Sequence, residues 1–149
     1  MTDSSQEKPS TVVIKNLDIY YPSLLNPKSP FGTEQWELMV ATKDEETIRK
    51  LEDVGAKLRD FEGMKATNLK RTVMSSKGVR RDPPKVLDSE GQKMTDETVL
   101  KLGNGSRGHV KLFCYSYSVA GRKGKSSMLL EVKVTDYKEY TGASDSEDF

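Results

Sequence analysis

The first ten residues, MTDSSQEKPS, hold no periodic apolar pattern and predict a disordered leader. Thr11 to Tyr21 (TVVIKNLDIYY) is β-branched and aromatic, which predicts a strand. Pro22, Pro27 and Pro30 come next and predict a long loop through Gly32. Gln35 to Thr42 alternates, with Trp36, Leu38 and Val40 on one face and Gln35, Glu37 and Met39 on the other, so a second strand is expected. The period then lengthens. From Thr42 to Glu62, Ile48, Leu51, Gly55 and Leu58 form a narrow helical stripe that Thr42 or Asp44 can cap and Gly63 can end.

Asn68 to Ser76 predicts a third strand, with Leu69, Arg71 and Val73 opposite Lys70, Thr72 and Met74. Lys77 to Pro84 is a basic loop stopped by two prolines, Val86 to Met94 a short hairpin turning at Glu90–Gly91, and Asp96 to Leu102 one helical turn. Two long strands close the pattern. Gly108 to Ala120 places Lys111, Phe113, Tyr115 and Tyr117 on one face and Val110, Leu112 and Cys114 on the other. Ser127 to Tyr137 groups Met128, Leu130, Val132 and Val134 opposite Glu131, Lys133 and Thr135. Gly121 and Gly124 hinge the basic turn that joins them as a hairpin. Five substantial strands and one good helix predict a mainly β chain. A five-stranded closed barrel of the OB type over residues 11–140 fits better than a sandwich, which needs about seven strands.

Composition changes this picture only in part. The chain has 149 residues, enough for one ordinary domain, and 32% of them are charged, above the usual ~25%. No apolar run approaches membrane-spanning length, the N-terminus lacks a secretion signal, and one cysteine cannot form an internal disulfide. A soluble intracellular protein without a metal or other cofactor is expected. Net charge is +1, yet the charges are segregated. Residues 65–85 hold seven bases and one acid, residues 98–130 hold six bases and no acid, and residues 141–149 hold three acids and no base. Two basic blocks and an acidic tail point to a polyanion site and something that competes for it.

Phe113, Tyr115 and Tyr117 alternate along one strand face with Lys111, just before Arg122, Lys123 and Lys125. Single-stranded nucleic acid offers flat bases and a charged backbone, so rings within reach of cations suit it. The opposite reading puts those rings in the barrel core. Trp36 is either a fourth platform or a core residue among aliphatic neighbours. Phe31 is a ring or a plug, and one of Tyr20 and Tyr21 must point outward. Lys70, Arg71, Lys77, Arg80 and Arg81 supply the remaining candidate phosphate contacts.

Enzymatic groups are hard to assemble. His109 has no nearby acid in sequence to orient it, and Cys114 has no suggested histidine partner. Asp82, Asp88 and Glu90 are not spaced for one metal ion. Gly103, Gly105 and Gly108 lack the lysine, hydroxyl and helix of a phosphate loop. The tail is more informative. Asp145, Glu147 and Asp148 followed by Phe149 imitate a short single strand, with several negative charges and one flat ring. Such a tail could occupy the basic groove weakly and, once displaced by nucleic acid, reach a partner.

The step Leu102–Ser106 (LGNGS) before an aromatic strand, the basic five-stranded core and the terminal Glu147–Phe149 (EDF) resemble the single-stranded DNA-binding proteins of T7-type and related tailed bacteriophages. The resemblance spans most of residues 11–138 and, separately, the tail at 141–149. It implies an OB barrel that coats single-stranded DNA in replication, recombination or repair, in the cytoplasm of an infected bacterium. It also implies a tail that regulates access and recruits replication proteins such as a polymerase or helicase-primase, and self-association on DNA. A substantial helix between the second and third strands and a short tail depart from that pattern. The alternatives are an RNA-binding module on the same barrel, a nuclease built on Asp82, Asp88 or Glu90, and an OB-type protein-interaction domain.

Overall fold

A computed structural model describes residues 10–29, 32–75, 77–119 and 121–139, excluding the side chains of 117–119, 122 and 123. The predicted leader up to residue 9, Phe31 and the acidic tail lie outside the described residues. The elements run β1 (Ser10–Lys28), β2 (Gln35–Thr42), α1 (Glu45–Asp53), β3 (Arg59–Phe61), β4 (Met64–Thr72), β5 (Lys85–Leu87), α2 (Asp96–Leu100), β6 (Ser106–Val119) and β7 (Arg122–Asp136). All seven strands belong to one sheet in the order β3-β4-β2-β1-β6-β7-β5. Every pairing is antiparallel except that of β5 with β7.

The mainly β expectation holds, but the closed five-stranded barrel does not. The five expected long strands are β1, β2, β4, β6 and β7, and the short strands β3 and β5 extend the sheet at its two ends. No ladder joins β4 to β7 among the described residues. A side chain crosses that seam instead: Arg71 donates from Nε to the Asp82 carbonyl at 2.7 Å and from Nη1 to the Leu129 carbonyl at 3.5 Å.

The sheet curls around a main core, and Met39, Ala41 and Ala66 form a second, smaller buried cluster. Ile14, Leu17 and Ile19 of β1, Leu38 and Val40 of β2, Val110 and Leu112 of β6, and Leu129 and Val132 of β7 are all sealed from solvent. Leu51 of α1 and Val99 of α2 pack into the same core. Ile14 and Leu17 are three residues apart, and strict alternation would send them to opposite faces. A bulge between them, with Asn16 at φ 62°, restores both to the interior. A second bulge, where Lys111 and Leu112 face Glu131 and Leu129, resets β7. It overturns the predicted grouping of Met128 and Leu130 with Val132: Leu129 is the buried partner, and Met128 lies opposite Phe113 on the outer face.

Two other expectations change. β1 continues through Pro22 and Pro27 to Lys28 where a loop was predicted, because the pairing with β2 is irregular there and does not require those proline nitrogens as donors. The helix is shorter than Thr42–Glu62. Asp44 caps α1 by accepting from the Thr47 amide at 3.0 Å and its hydroxyl at 2.7 Å. Termination falls at Gly55 (φ 89°), not at Gly63, which instead turns β3 into β4. Gly55 also allows close packing: a Cβ there would stand 2.4 Å from the Lys125 carbonyl oxygen of β7. The hairpin at 86–94 and the turn of helix after Thr95 form as expected, the latter with Thr95 as its cap.

Candidate nucleic-acid interface

The outer surface at the β4–β7 seam holds a cleft of ≈ 390 Å³ lined by Lys70, Thr72, Arg81, Phe113, Tyr115, Ser126, Ser127 and Met128. Strand alternation builds it. Val110 and Leu112 point into the core, so Phe113 and Tyr115 point out, opposite Met128 and Ser126 of β7. Lys70 and Thr72 alternate with the buried Leu69 and Val73 on the facing strand and its continuation. Arg81 returns after a loop whose ends are pinned by the Arg81 amide on the Val73 carbonyl at 2.6 Å. Its guanidinium bonds to the Thr72 hydroxyl and to the Met74 carbonyl at 3.1 Å, which fixes the charge at the rim.

The two rings lie 6.0 Å apart at 36°. Bases stack about 3.4 Å apart, so a base between the rings would need nearly 7 Å. The pair therefore forms a ledge on which bases can lie, not a slot for one. Tyr115 is 40% exposed, and Phe113 is half-buried beneath it.

The other sequence candidates divide. Trp36 is 1% exposed and its indole donates to the Leu25 carbonyl at 3.1 Å, which removes it from the stacking rings. Arg71 is half-buried in the seam, and burial, then the neighbouring Arg81, push its pKa below the ordinary guanidinium value. It is a brace more than a free cation. Lys77 and Arg80 are exposed on the loop before Arg81. Lys111 faces Glu131 at 3.6 Å and is partly neutralised. Lys125 lies opposite Ser116 and is exposed on the sheet face away from the two rings. Tyr117, Arg122 and Lys123 continue the β6–β7 pairing in backbone, with side chains outside the described ones, as are Asp145, Glu147, Asp148 and Phe149. Sequence reasoning missed Thr72 and Met128 as walls. Met128 became visible only with the bulge that no residue pattern announced.

A second ring cluster lies midway along β1. Tyr20 stands edge-on to Phe61 at 5.0 Å, and Tyr21, 54% exposed, lies 6.2 Å from Tyr20. Tyr21 adopts φ 49°, held by its amide donating to Asn104 Oδ1 at 2.6 Å, so the glycine-rich LGNGS step works as a clamp on β1. Burial and the charges of Asp18 and Glu62 raise the Tyr20 pKa. A neighbouring cleft of ≈ 910 Å³ is lined by Asp18, Asp44 and Glu62 against Lys43 and Arg107, which does not favour phosphates.

The groups considered for catalysis have local duties. Asp88 accepts from the Glu90 and Gln92 amides in the hairpin turn, both at 2.9 Å. No cluster of three metal-ligating side chains occurs among the described residues. Cys114 is half-buried, and burial raises its thiol pKa. His109 Nδ1 accepts the Asn16 amide at 3.1 Å, which requires the neutral ring and holds the β1 bulge. Burial, then Lys15 and Lys133, lower its pKa against an opposing backbone contact. A depressed histidine stabilises the fold fully above its unfolded value, about 6.5, and that contribution is lost as pH falls through the folded value. The urea midpoint is accordingly expected to fall between pH 7.5 and 5.5. His109→Asn, which keeps an acceptor but does not titrate, should flatten that dependence; an unchanged pH slope would refute the assignment.

No family model and no curated protein matches the chain by sequence. Solved structures do share its fold. The single-stranded DNA-binding protein of bacteriophage Enc34, truncated at its C-terminus, aligns with a TM-score of 0.63 at 16% identity over 87% of each chain. The same phage protein in complex with single-stranded DNA aligns at 0.62 and 16% identity over 89% of each. The gp2.5 single-stranded DNA-binding protein of bacteriophage T7 aligns at 0.63 and 17% identity, covering 95% of this chain and 94% of its own. The resemblance to phage single-stranded DNA-binding proteins is thus present in three dimensions. No described helix is long and apolar enough to cross a membrane.

Proposed function

We propose that this chain is a phage-type single-stranded DNA-binding protein that coats exposed strands during replication, recombination or repair, and binds rather than cleaves them. One observation carries the reading: Phe113 and Tyr115 form a ledge in the same cleft as Lys70 and Arg81, on a fold shared with a protein solved in complex with single-stranded DNA. Bases lie on the ledge while Lys70 and Arg81 meet phosphates, and the exposed Lys77 and Arg80 extend the positive track. Sequence preference is small, because every base has a π-face and every nucleotide a phosphate. The cytoplasm of an infected bacterium is where such a protein would act.

Salt titration is the direct test. Each phosphate engaged contributes about −0.7 to the slope of log affinity against log salt, so about four to six contacts give −3 to −4. A flat dependence would overturn the reading, and equal affinity for matched RNA would move it to an RNA-binding module.

The acidic tail at 141–149 serves as a competitor for this cleft and, when displaced, as the handle for replication proteins. Tethering gives even a weak ligand a high effective concentration. Deleting Ser144–Phe149 is therefore expected to tighten DNA binding about threefold or more at low salt and to weaken capture of a replication partner. Affinity unmoved by the deletion would eliminate self-competition.

A further inference from the structure

The outward row of Lys70 and Thr72 does not stop where β4 ends. Val73 is sealed in the core, so Met74 points away from it as Lys70 and Thr72 do, one alternate position beyond the cleft wall. Met74 is 49% exposed. The chain folds back there, and Met74 pairs antiparallel with Arg80. The Ser75 amide donates to the Val79 carbonyl at 2.8 Å and the Arg81 amide to the Val73 carbonyl at 2.6 Å. These bonds flank the Met74–Arg80 pair and make it the non-hydrogen-bonded kind, in which facing side chains come closest. Thioether and guanidinium therefore share one side of a small finger. The finger is held in shape beforehand: Ser75 Oγ accepts the Lys77 amide at 3.2 Å and the Val79 amide at 3.1 Å, and Gly78, at φ 79°, closes the turn. Arg81 bonds both the Thr72 hydroxyl, in the cleft wall, and the Met74 carbonyl, so finger and cleft move as one piece.

We propose that Met74 is a further base-contacting residue: the strand passes from the Phe113–Tyr115 ledge over Thr72, and the next base lies on the Met74 thioether while Arg80 meets its phosphate. Methionine suits this place, because its unbranched, polarizable side chain fits any flat ring laid on it. The inference rests on the single-stranded DNA reading above. Val79 provides the contrast: it follows Arg80 by strand alternation on the other side of the finger and, though 64% exposed, lies off the track. Met74 carried no signal in the sequence, where it is one more apolar position on the face of a strand.

The test uses the full chain and an oligothymidylate of about 20 nucleotides. Met74→Ala is expected to weaken binding about 2- to 10-fold and to leave the salt slope unchanged, since no charge is removed. Met74→Leu, which keeps the apolar bulk, should bind as the parent does, and so should Val79→Ala. Arg80→Gln should instead make the slope shallower by about 0.7. A footprint on the unaltered protein does not depend on how any variant folds. Hydrogen peroxide transfers one oxygen atom to the Met74 sulfur and leaves as water, and saturating oligonucleotide should slow that oxidation about threefold or more. Met64, at the far end of β4, serves as the reference in the same mass spectrum. If Phe113→Ala weakens binding while Met74→Ala does not, or if Met74 oxidises equally fast with and without oligonucleotide, the Met74 contact is wrong and the DNA reading stands. If the unaltered protein shows no salt-sensitive binding, the DNA reading itself fails.

Discussion

On the proposed function, replacing Phe113 or Tyr115 with alanine is expected to lower single-stranded DNA affinity by about 1–3 kcal/mol, roughly 5- to 150-fold for each ring. The loss follows from where the rings lie. Tyr115 presents 40% of its surface and leans on Phe113 at 6.0 Å, so a base laid on one is in reach of the other. Side chains this close couple, and the double variant should lose less than the sum of the two singles. Anisotropy of a labelled oligothymidylate at fixed salt measures all three variants. Lys70→Ala, tested beside them, should mainly reduce the salt slope, since it removes a charge and leaves the ledge. A double-alanine variant that binds as tightly as the parent would dismantle the stacking mechanism.

The second large effect is on stability. Trp36→Ala should cost about 3–5 kcal/mol, because it opens a cavity where a fully enclosed ring packs. For a chain of this size that is a fall of about 6–20 °C in Tm. Trp36→Phe keeps much of the volume but leaves the Leu25 carbonyl without its indole donor, at about 1–3 kcal/mol. Thermal melts give both numbers. DNA affinity of the folded Trp36→Phe protein should match the parent, and a loss of affinity with stability intact would return the ring to the DNA surface. Intrinsic fluorescence changes on binding should accordingly come from tyrosines such as Tyr115, not from the sealed indole.

Much of the architecture was readable from side-chain alternation. The long strands and the outward face of Phe113 and Tyr115 follow from residues two apart sharing a side, and the capped helix from the longer period of Ile48 and Leu51 after Asp44. The rule broke where one inserted residue changes parity. Ile14 and Leu17 both reach the core through a bulge fixed by Asn16 and His109, partners 93 positions apart. Leu129 displaces Leu130 from the interior for the same kind of reason. The pairing of Lys70 and Arg81 with the rings was equally hidden, because it depends on two strands that meet without a ladder. Trp36 was ambiguous since its aliphatic neighbours fit a core and its flat ring fits a base. The buried indole bond resolved it.

The sheet ends on two strands of three residues each, β3 and β5. Around Arg71, the longer margins of β4 and β7 turn toward each other instead of outward. Long unpaired margins are templates on which a neighbouring chain can zip, and margins of three residues or ones turned inward are poorer ones. If the protein coats a strand as proposed, copies crowded side by side would be guarded against amyloid-like growth at the sheet's two ends, leaving side chains, not backbones, to govern how neighbours meet there.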